Sequence, residues 1–126
     1  MQLFSKLLRL RCTREFERVF SARAAVADEF LIVFILPNNL QVSRLGLSVS
    51  RKVGNSVVRN RWKRLIREAF RKNCRSFPQC IDLIVLPQRK AQPPNGKKIE
   101  FSFKKLITRA FKRISTNRPS GNTETT

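Results

Sequence analysis

Seven consecutive apolar residues, Phe30 to Leu36 (FLIVFIL), constrain this chain more than any other stretch. A run rich in Phe, Ile and Val, stopped by Pro37-Asn38-Asn39, suits a strand buried on both faces with a turn after it. Leu40 to Ser50 reads as a second strand. In it Leu45, Leu47 and Val49 point one way and Arg44, Gly46, Ser48 and Ser50 the other, which leaves one face small enough for a backbone or helix to approach closely. Ile81 to Leu86 (IDLIVL), bounded by Pro87, is a third strand.

Helical spacing fills the intervals. Phe16, Val19 and Phe20 mark a short first helix from Thr13 to Phe20, with Thr13 as its N-cap and Glu15 near its positive end. Gly54-Asn55-Ser56 supplies a turn and a cap, and Val57 to about Cys74 then forms a long amphipathic helix. Its apolar side is Val58, Trp62, Leu65, Ile66, Ala69 and Phe70. Residues 88–98 form a loop in which Asn95-Gly96 closes a tight turn, with an extra short strand expected near residues 97–101. A last helix buries Phe103, Leu106, Ile107, Ala110, Phe111 and Ile114 and leaves Lys104, Lys105, Arg109, Lys112 and Arg113 outside its stripe. The order α-β-β-α-β-α predicts an α+β fold, a two-layer α/β sandwich of a small sheet with two amphipathic helices laid on it. A chain of 126 residues holds one such domain. It is expected over residues 9–114, between a flexible segment, 1–8, and a disordered tail, 115–126.

Charge narrows the function. Lys and Arg number 27 against 8 Asp and Glu, a formal +19, so the chain repels itself unless an anionic partner or salt compensates. Nucleic acid, an acidic membrane surface and an acidic protein all satisfy that demand. No stretch has the apolar length to cross a bilayer, and charge interrupts the first residues too early for a signal peptide, so a cytoplasmic protein is the simplest expectation. Cys12, Cys74 and Cys80 form an odd set without CxxC spacing and the chain has no His, which reads as reduced, ordinary thiols and no zinc site.

The cations are concentrated. Arg51, Lys52, Arg59, Arg61, Lys63, Arg64, Arg67, Arg71 and Lys72 are opposed between residues 51 and 72 by Glu68 alone. Most charge runs on helices are solvated surface. This one is too one-sided for a lattice of i,i+4 ion pairs, and like charges at that spacing cost a few tenths of a kcal/mol per pair. On a helical wheel Asn60, Lys63, Arg64, Arg67 and Arg71 lie opposite Trp62 and Leu65, with Arg59 and Arg61 at the boundary. One side docks and the other binds: guanidinium groups grip phosphate oxygens in two-pronged fashion, and Asn60 can donate and accept at a ribose or base edge.

The stretch Gly46 to Phe70, GLSVSRKVGNSVVRNRWKRLIREAF, resembles the signature of the bacterial ribonuclease P protein family, including Arg59-Asn60-Arg61, Lys63-Arg64 and Arg67-Glu68. Arg9-Leu10 with Phe16-Glu17-Arg18-Val19-Phe20 resembles the family's first helix, and Ile81 to Leu86 its third strand. The resemblance implies a left-handed βαβ crossover, as in a ribosomal small-subunit protein and elongation factor G, where the general rule favours the right-handed form. It implies that Arg59, Asn60, Arg61, Lys63, Arg64 and Arg67 bind a catalytic RNA. It also implies that Phe16, Phe20, Phe34 and Lys52 line a cleft for the 5′ leader of precursor tRNA. From spacing alone Phe16 and Phe20 read as core anchors of the first helix. Relatives often carry Lys where this chain has Arg51, a change that keeps charge and alters contact geometry.

A protein nuclease needs clustered carboxylates for metal ions, or a base to activate its nucleophile. Here the acids are scattered and His is absent. No catalytic residue or protein-bound cofactor is therefore expected, Mg²⁺ being held on the RNA, and neither a membrane nor a small-molecule ligand is expected as partner. The expected function is an accessory subunit of an RNA-catalysed endoribonuclease that matures tRNA 5′ ends. Its rivals are a ribosomal or general RNA-binding protein and a cationic membrane-active or DNA-compacting protein.

Overall fold

The computed structural model describes residues 9, 10, 12–88 and 93–117, with the backbone alone for 115–117. The expected flexible start, residues 1–8, and the part of the expected tail beyond 117 lie outside the described residues. The elements are α1 (Thr13–Ser21), β1 (Ala25–Ala27), β2 (Leu31–Pro37), β3 (Arg44–Leu47), α2 (Ser56–Asn73), β4 (Ile81–Pro87) and α3 (Gly96–Asn117). Short 3-10 turns at Arg51–Val53 and Cys74–Ser76 flank α2.

The strands form one sheet in the order β1-β2-β4-β3, antiparallel except for β3 and β4, which run parallel across the α2 crossover. Register decides which side chains share a face. Phe34, Ile84 and Gly46 form one row across β2, β4 and β3, and Ile35, Leu83 and Leu45 form the next. Because successive residues alternate in facing, the second row meets α2 and α3 and the first meets α1. Under α2 and α3 lies the larger core, where Trp62, Ile66, Phe70, Phe103 and Leu106 pack fully buried with Leu31, Ile35 and Leu83. Each such side chain contributes about 1.5–3 kcal/mol relative to exposure. Leu10, Val19 and Ile84 form a smaller cluster, against which Phe16, Phe20, Phe34, Leu36 and Leu86 are partly buried.

Several local expectations are corrected. The N-cap of α1 is Cys12 rather than Thr13, and the Cys12 N–H donates to the Glu15 carboxylate at 3.4 Å, one half of a capping box. Within FLIVFIL only Leu31, Val33 and Ile35 are buried, while Ile32, Phe34 and Leu36 are half-buried. The reason is length: nine residues make α1 about 13 Å long, too short to roof the sheet. The second strand spans four residues instead of Leu40 to Ser50. Asn38 takes the chain before it into a closed loop, accepting from the Leu40 N–H at 2.8 Å and donating to the Val42 carbonyl at 3.0 Å. β1 was not expected; Ala-Val-Ala has little strand preference of its own and is ordered by pairing with β2.

The region around residues 97–101 is the first turn of α3 and not a strand. Asn95 caps it rather than closing a tight turn, its side chain accepting from the Lys98 N–H at 3.0 Å. Ile99, fully buried one turn before Phe103, extends the apolar stripe backward. Elsewhere the expected stripes hold: Trp62, Ile66, Ala69 and Phe70 are buried on α2, and Phe103, Leu106, Ile107, Ala110 and Phe111 on α3.

Candidate nucleic-acid interface

The start of α2 is sterically specified. A Cβ on Gly54 would sit 2.9 Å from Val58, at a backbone φ of 158° that side chains rarely adopt. Asn55 follows as N-cap, its side chain accepting from the Val58 N–H at 3.0 Å. Arg59 is half-buried, and its Nε donates to the Gly54 carbonyl at 3.2 Å, so part of its fork is spent on holding this turn.

From there the helix distributes its cations in three directions. Taking Trp62 as the inward reference and about 100° per residue, Asn60, Arg64 and Arg71 lie about 160–200° away and point outward. Asn60, Arg61 and Arg64 are exposed. Lys63 and Arg67 turn toward β3, where with Arg9 they line a pocket of about 170 Å³ whose other walls include Leu45, Leu47 and Phe16. Burial, and then the neighbouring charge of Arg9, push the Arg67 guanidinium below its ordinary pKa; an arginine remains charged regardless, so the pocket favours an anion. Arg61 and Lys72 turn toward α3, and Lys72 Nζ lies 3.9 Å from Glu100. Glu68, paired with Arg71, faces the same groove between α2 and α3 as Glu100. Among the described residues Lys63, Arg64 and Arg67 make no salt bridge.

Across the sheet, α1 and β2 bring the three aromatic candidates together. Phe20 meets Phe34 edge-on with ring centroids 4.8 Å apart, and Phe16 lies 6.4 Å from Phe20. All three are half-buried, packed against the cluster of Leu10, Val19 and Ile84 and partly open to solvent. The packing is that of anchors of the first helix, as spacing alone predicts, with part of each ring left accessible. Gly46 makes this packing possible, since a Cβ there would lie 2.8 Å from the tip of Phe16. Lys52 is exposed in the 3-10 turn between β3 and α2, outside the aromatic group.

Two residues given no site role by sequence reasoning shape the site. Arg9 joins Lys63 and Arg67 in their pocket. Arg44 binds Asp82 through Nε at 2.9 Å and Nη2 at 2.7 Å, and reaches Glu15 of α1 at 2.9 Å. Its hydrogen bond with Asp82 raises the guanidinium's pKa further. This bridge ties α1, and with it Phe16 and Phe20, to β3 and β4. The alternation of the second strand put Arg44 on the Gly46 side, the one signal that could have found it.

The acids are spread among other tasks. Asp28 accepts from the Phe30 and Leu31 N–H groups and from Ser102, and Lys105 lies 3.3 Å away. Among the described residues no group of three or more His, Cys, Asp or Glu could hold a metal ion. Cys12, Cys74 and Cys80 are free, and burial pushes the Cys74 thiol up.

The family model described as Ribonuclease P matches residues 4–111. The ribonuclease P protein component of Caldanaerobacter subterraneus is 41% identical over 102 residues, covering 81% of this chain and 88% of that one. That of Clostridium novyi is 41% identical over 104 residues, covering 81% and 92%. Among solved structures, the RNase P protein of Staphylococcus aureus is similar at a TM-score of 0.73 and 32% identity, covering 82% of this chain and 94% of that one. The RNase P protein of Thermotoga maritima gives 0.72 and 31%, covering 80% and 96%.

Proposed function

The chain belongs to the ribonuclease P protein family, and from that premise we propose that it binds the catalytic RNA of this tRNA-processing endoribonuclease and the 5′ leader of precursor tRNA. The catalytic RNA takes the polar side chains of α2, Arg59, Asn60, Arg61, Lys63, Arg64 and Arg67, with Asn60 and Arg64 at the centre of the contact. The observation that carries this reading is that α2 buries Trp62 and Ile66 completely while, among the described residues, Lys63, Arg64 and Arg67 have no carboxylate partner within salt-bridge distance, Arg64 feeling Glu68 only through its charge. An RNA backbone supplies those partners, and counterion release makes the contact favourable and salt-dependent.

The leader runs over Phe16, Phe20 and Phe34, with Lys52 contributing charge. Half-exposed rings stack unpaired bases without demanding a sequence, at about 1–3 kcal/mol per base. Bringing two polyanions together is the protein's contribution, and it lowers the Mg²⁺ concentration the reaction needs. The described carboxylates are dispersed in separate ion pairs and caps, a donor set that fits Mg²⁺ bound on RNA better than on this chain. When bound there, Mg²⁺ supplies the hydrolytic chemistry. Among the described residues no helix is long and apolar enough to cross a membrane, and the proposed site of action is the cytoplasm.

Reconstitution tests the proposal: catalytic RNA and precursor tRNA at low Mg²⁺, with and without the protein. Protein-dependent cleavage is the expected result. Cleavage by the polypeptide alone, or RNA binding without enhanced processing, would refute it; the second outcome is that of a general RNA-binding protein.

A further inference from the structure

α3 carries a second cationic surface that the reading above does not use. Lys97, Lys98, Lys104, Lys105, Arg109, Lys112 and Arg113 are opposed within it by Glu100 alone, which faces α2, and from outside the helix Asp28 lies 3.3 Å from Lys105. On its outward side stands Phe101, 68% exposed, more than any other large hydrophobic residue described. Lys105 Nζ lies 5.7 Å from the centre of that ring, a cation over a π face. One turn on, Lys104 and Lys112 flank a cavity of about 350 Å³ between α3 and the turn after α2, walled by Phe77, Phe103, Ile107 and Phe111.

Apolar aromatic walls with two lysines at the mouth suit a flat ring attached to an anion. A cavity of this volume is within the range of small-ligand sites. The exposed ring of Phe101, three residues before Lys104 on the same helix, offers a second stacking surface. We propose that the α3 face is a second single-stranded RNA site, in which one base enters the Phe77–Phe111 cavity, a neighbouring base stacks on Phe101, and Lys104, Lys105 and Lys112 hold the phosphates between them. The inference rests on the RNA-binding reading and extends it, because this face lies on the opposite side of the sheet from α1. Both sites can therefore be filled at once, and a strand leaving one has a second place to land.

The test uses the full chain, labelled with ¹⁵N, titrated with a short single-stranded oligouridylate and, separately, with an RNA hairpin. The oligouridylate is expected to shift the amides of Phe77, Phe101, Lys104 and Thr108 as a set distinct from those of α1 and β2. The double variant Phe101→Ala, Lys104→Ala removes surface groups only; it should weaken the first set roughly five- to 150-fold, the loss of one stacked base, and spare the second. Shifts confined to α1, β2 and α2 overturn this proposal and leave the RNA-binding reading standing. No shift anywhere overturns both. An α3 response to the hairpin but not the oligouridylate, or one that follows protein concentration without RNA, assigns the face to duplex or to a second copy and also overturns it.

Discussion

Replacing Arg44 by Met should destabilise the domain by about 3–5 kcal/mol, the cost of leaving a buried charge without its partner. The magnitude follows from the surroundings of Asp82, whose side chain is 2% exposed. Two of its hydrogen bonds come from Arg44 and a third, at 2.8 Å, from Asn38. Methionine fills much of the same volume and removes both charged contacts, so the loss is electrostatic more than steric. The Glu15 contact adds little, since that carboxylate is 25% exposed and screened by solvent. Against a typical total of about 5–15 kcal/mol the variant remains folded or marginal, and its Tm should fall by at least about 10 °C. Urea unfolding followed by the fluorescence of Trp62, a single fully buried tryptophan, reports the change directly. A double variant, Arg44→Met with Asp82→Leu, should recover most of the loss because it leaves no orphaned charge. A single-variant loss under about 1 kcal/mol, or a double variant no better than the single, would refute the reasoning.

Arg64→Ala or Arg67→Ala should weaken catalytic-RNA binding and reduce the log–log salt slope by up to about 0.9 for each duplex phosphate lost; an unchanged slope in a salt titration rejects phosphate contact. Phe20→Ala should weaken precursor tRNA relative to mature tRNA by about 1–3 kcal/mol, with Phe20→Leu controlling for packing on Val19; equal losses for both RNAs would assign Phe20 to the core alone. Burial raises the Asp28 carboxyl, but hydrogen bonds from Ser102 and from the Leu31 and Phe30 amides, with Lys105, outweigh it and hold the pKa below the ordinary carboxylate value. A depressed folded pKa means stability that is complete above the ordinary carboxylate range and lost as pH falls through and below it. Asp28→Asn should flatten that acid limb in pH-dependent urea melts, and an unaltered limb would count against the network.

The cluster of Phe16, Phe20 and Phe34 illustrates why a linear pattern underdetermines a site. Helical spacing put Phe16 and Phe20 on the inner side of α1, and it was correct that they pack. That they also stay half-open depends on how little of the sheet a nine-residue helix covers, a quantity set by assembled geometry. The facing of Phe34 needed the register, where a shift of one residue would have turned it toward α2.

What the chain's residues settled unaided was periodic: the α2 and α3 stripes, the apolar strands, the small side chain demanded at Gly46 and the cationic excess. These follow from nearest-neighbour geometry, 3.6 residues per helical turn and two per strand repeat, which any reader can project. Tertiary structure decided the rest. It set β1 beside β2, joined Arg9 to Lys63 and Arg67, and bridged Glu15 to Asp82 through Arg44. Arg9 is more than fifty residues from Lys63 and Glu15 more than sixty from Asp82, and only folding, which makes unlike segments share a desolvated space, could bring their charges within reach.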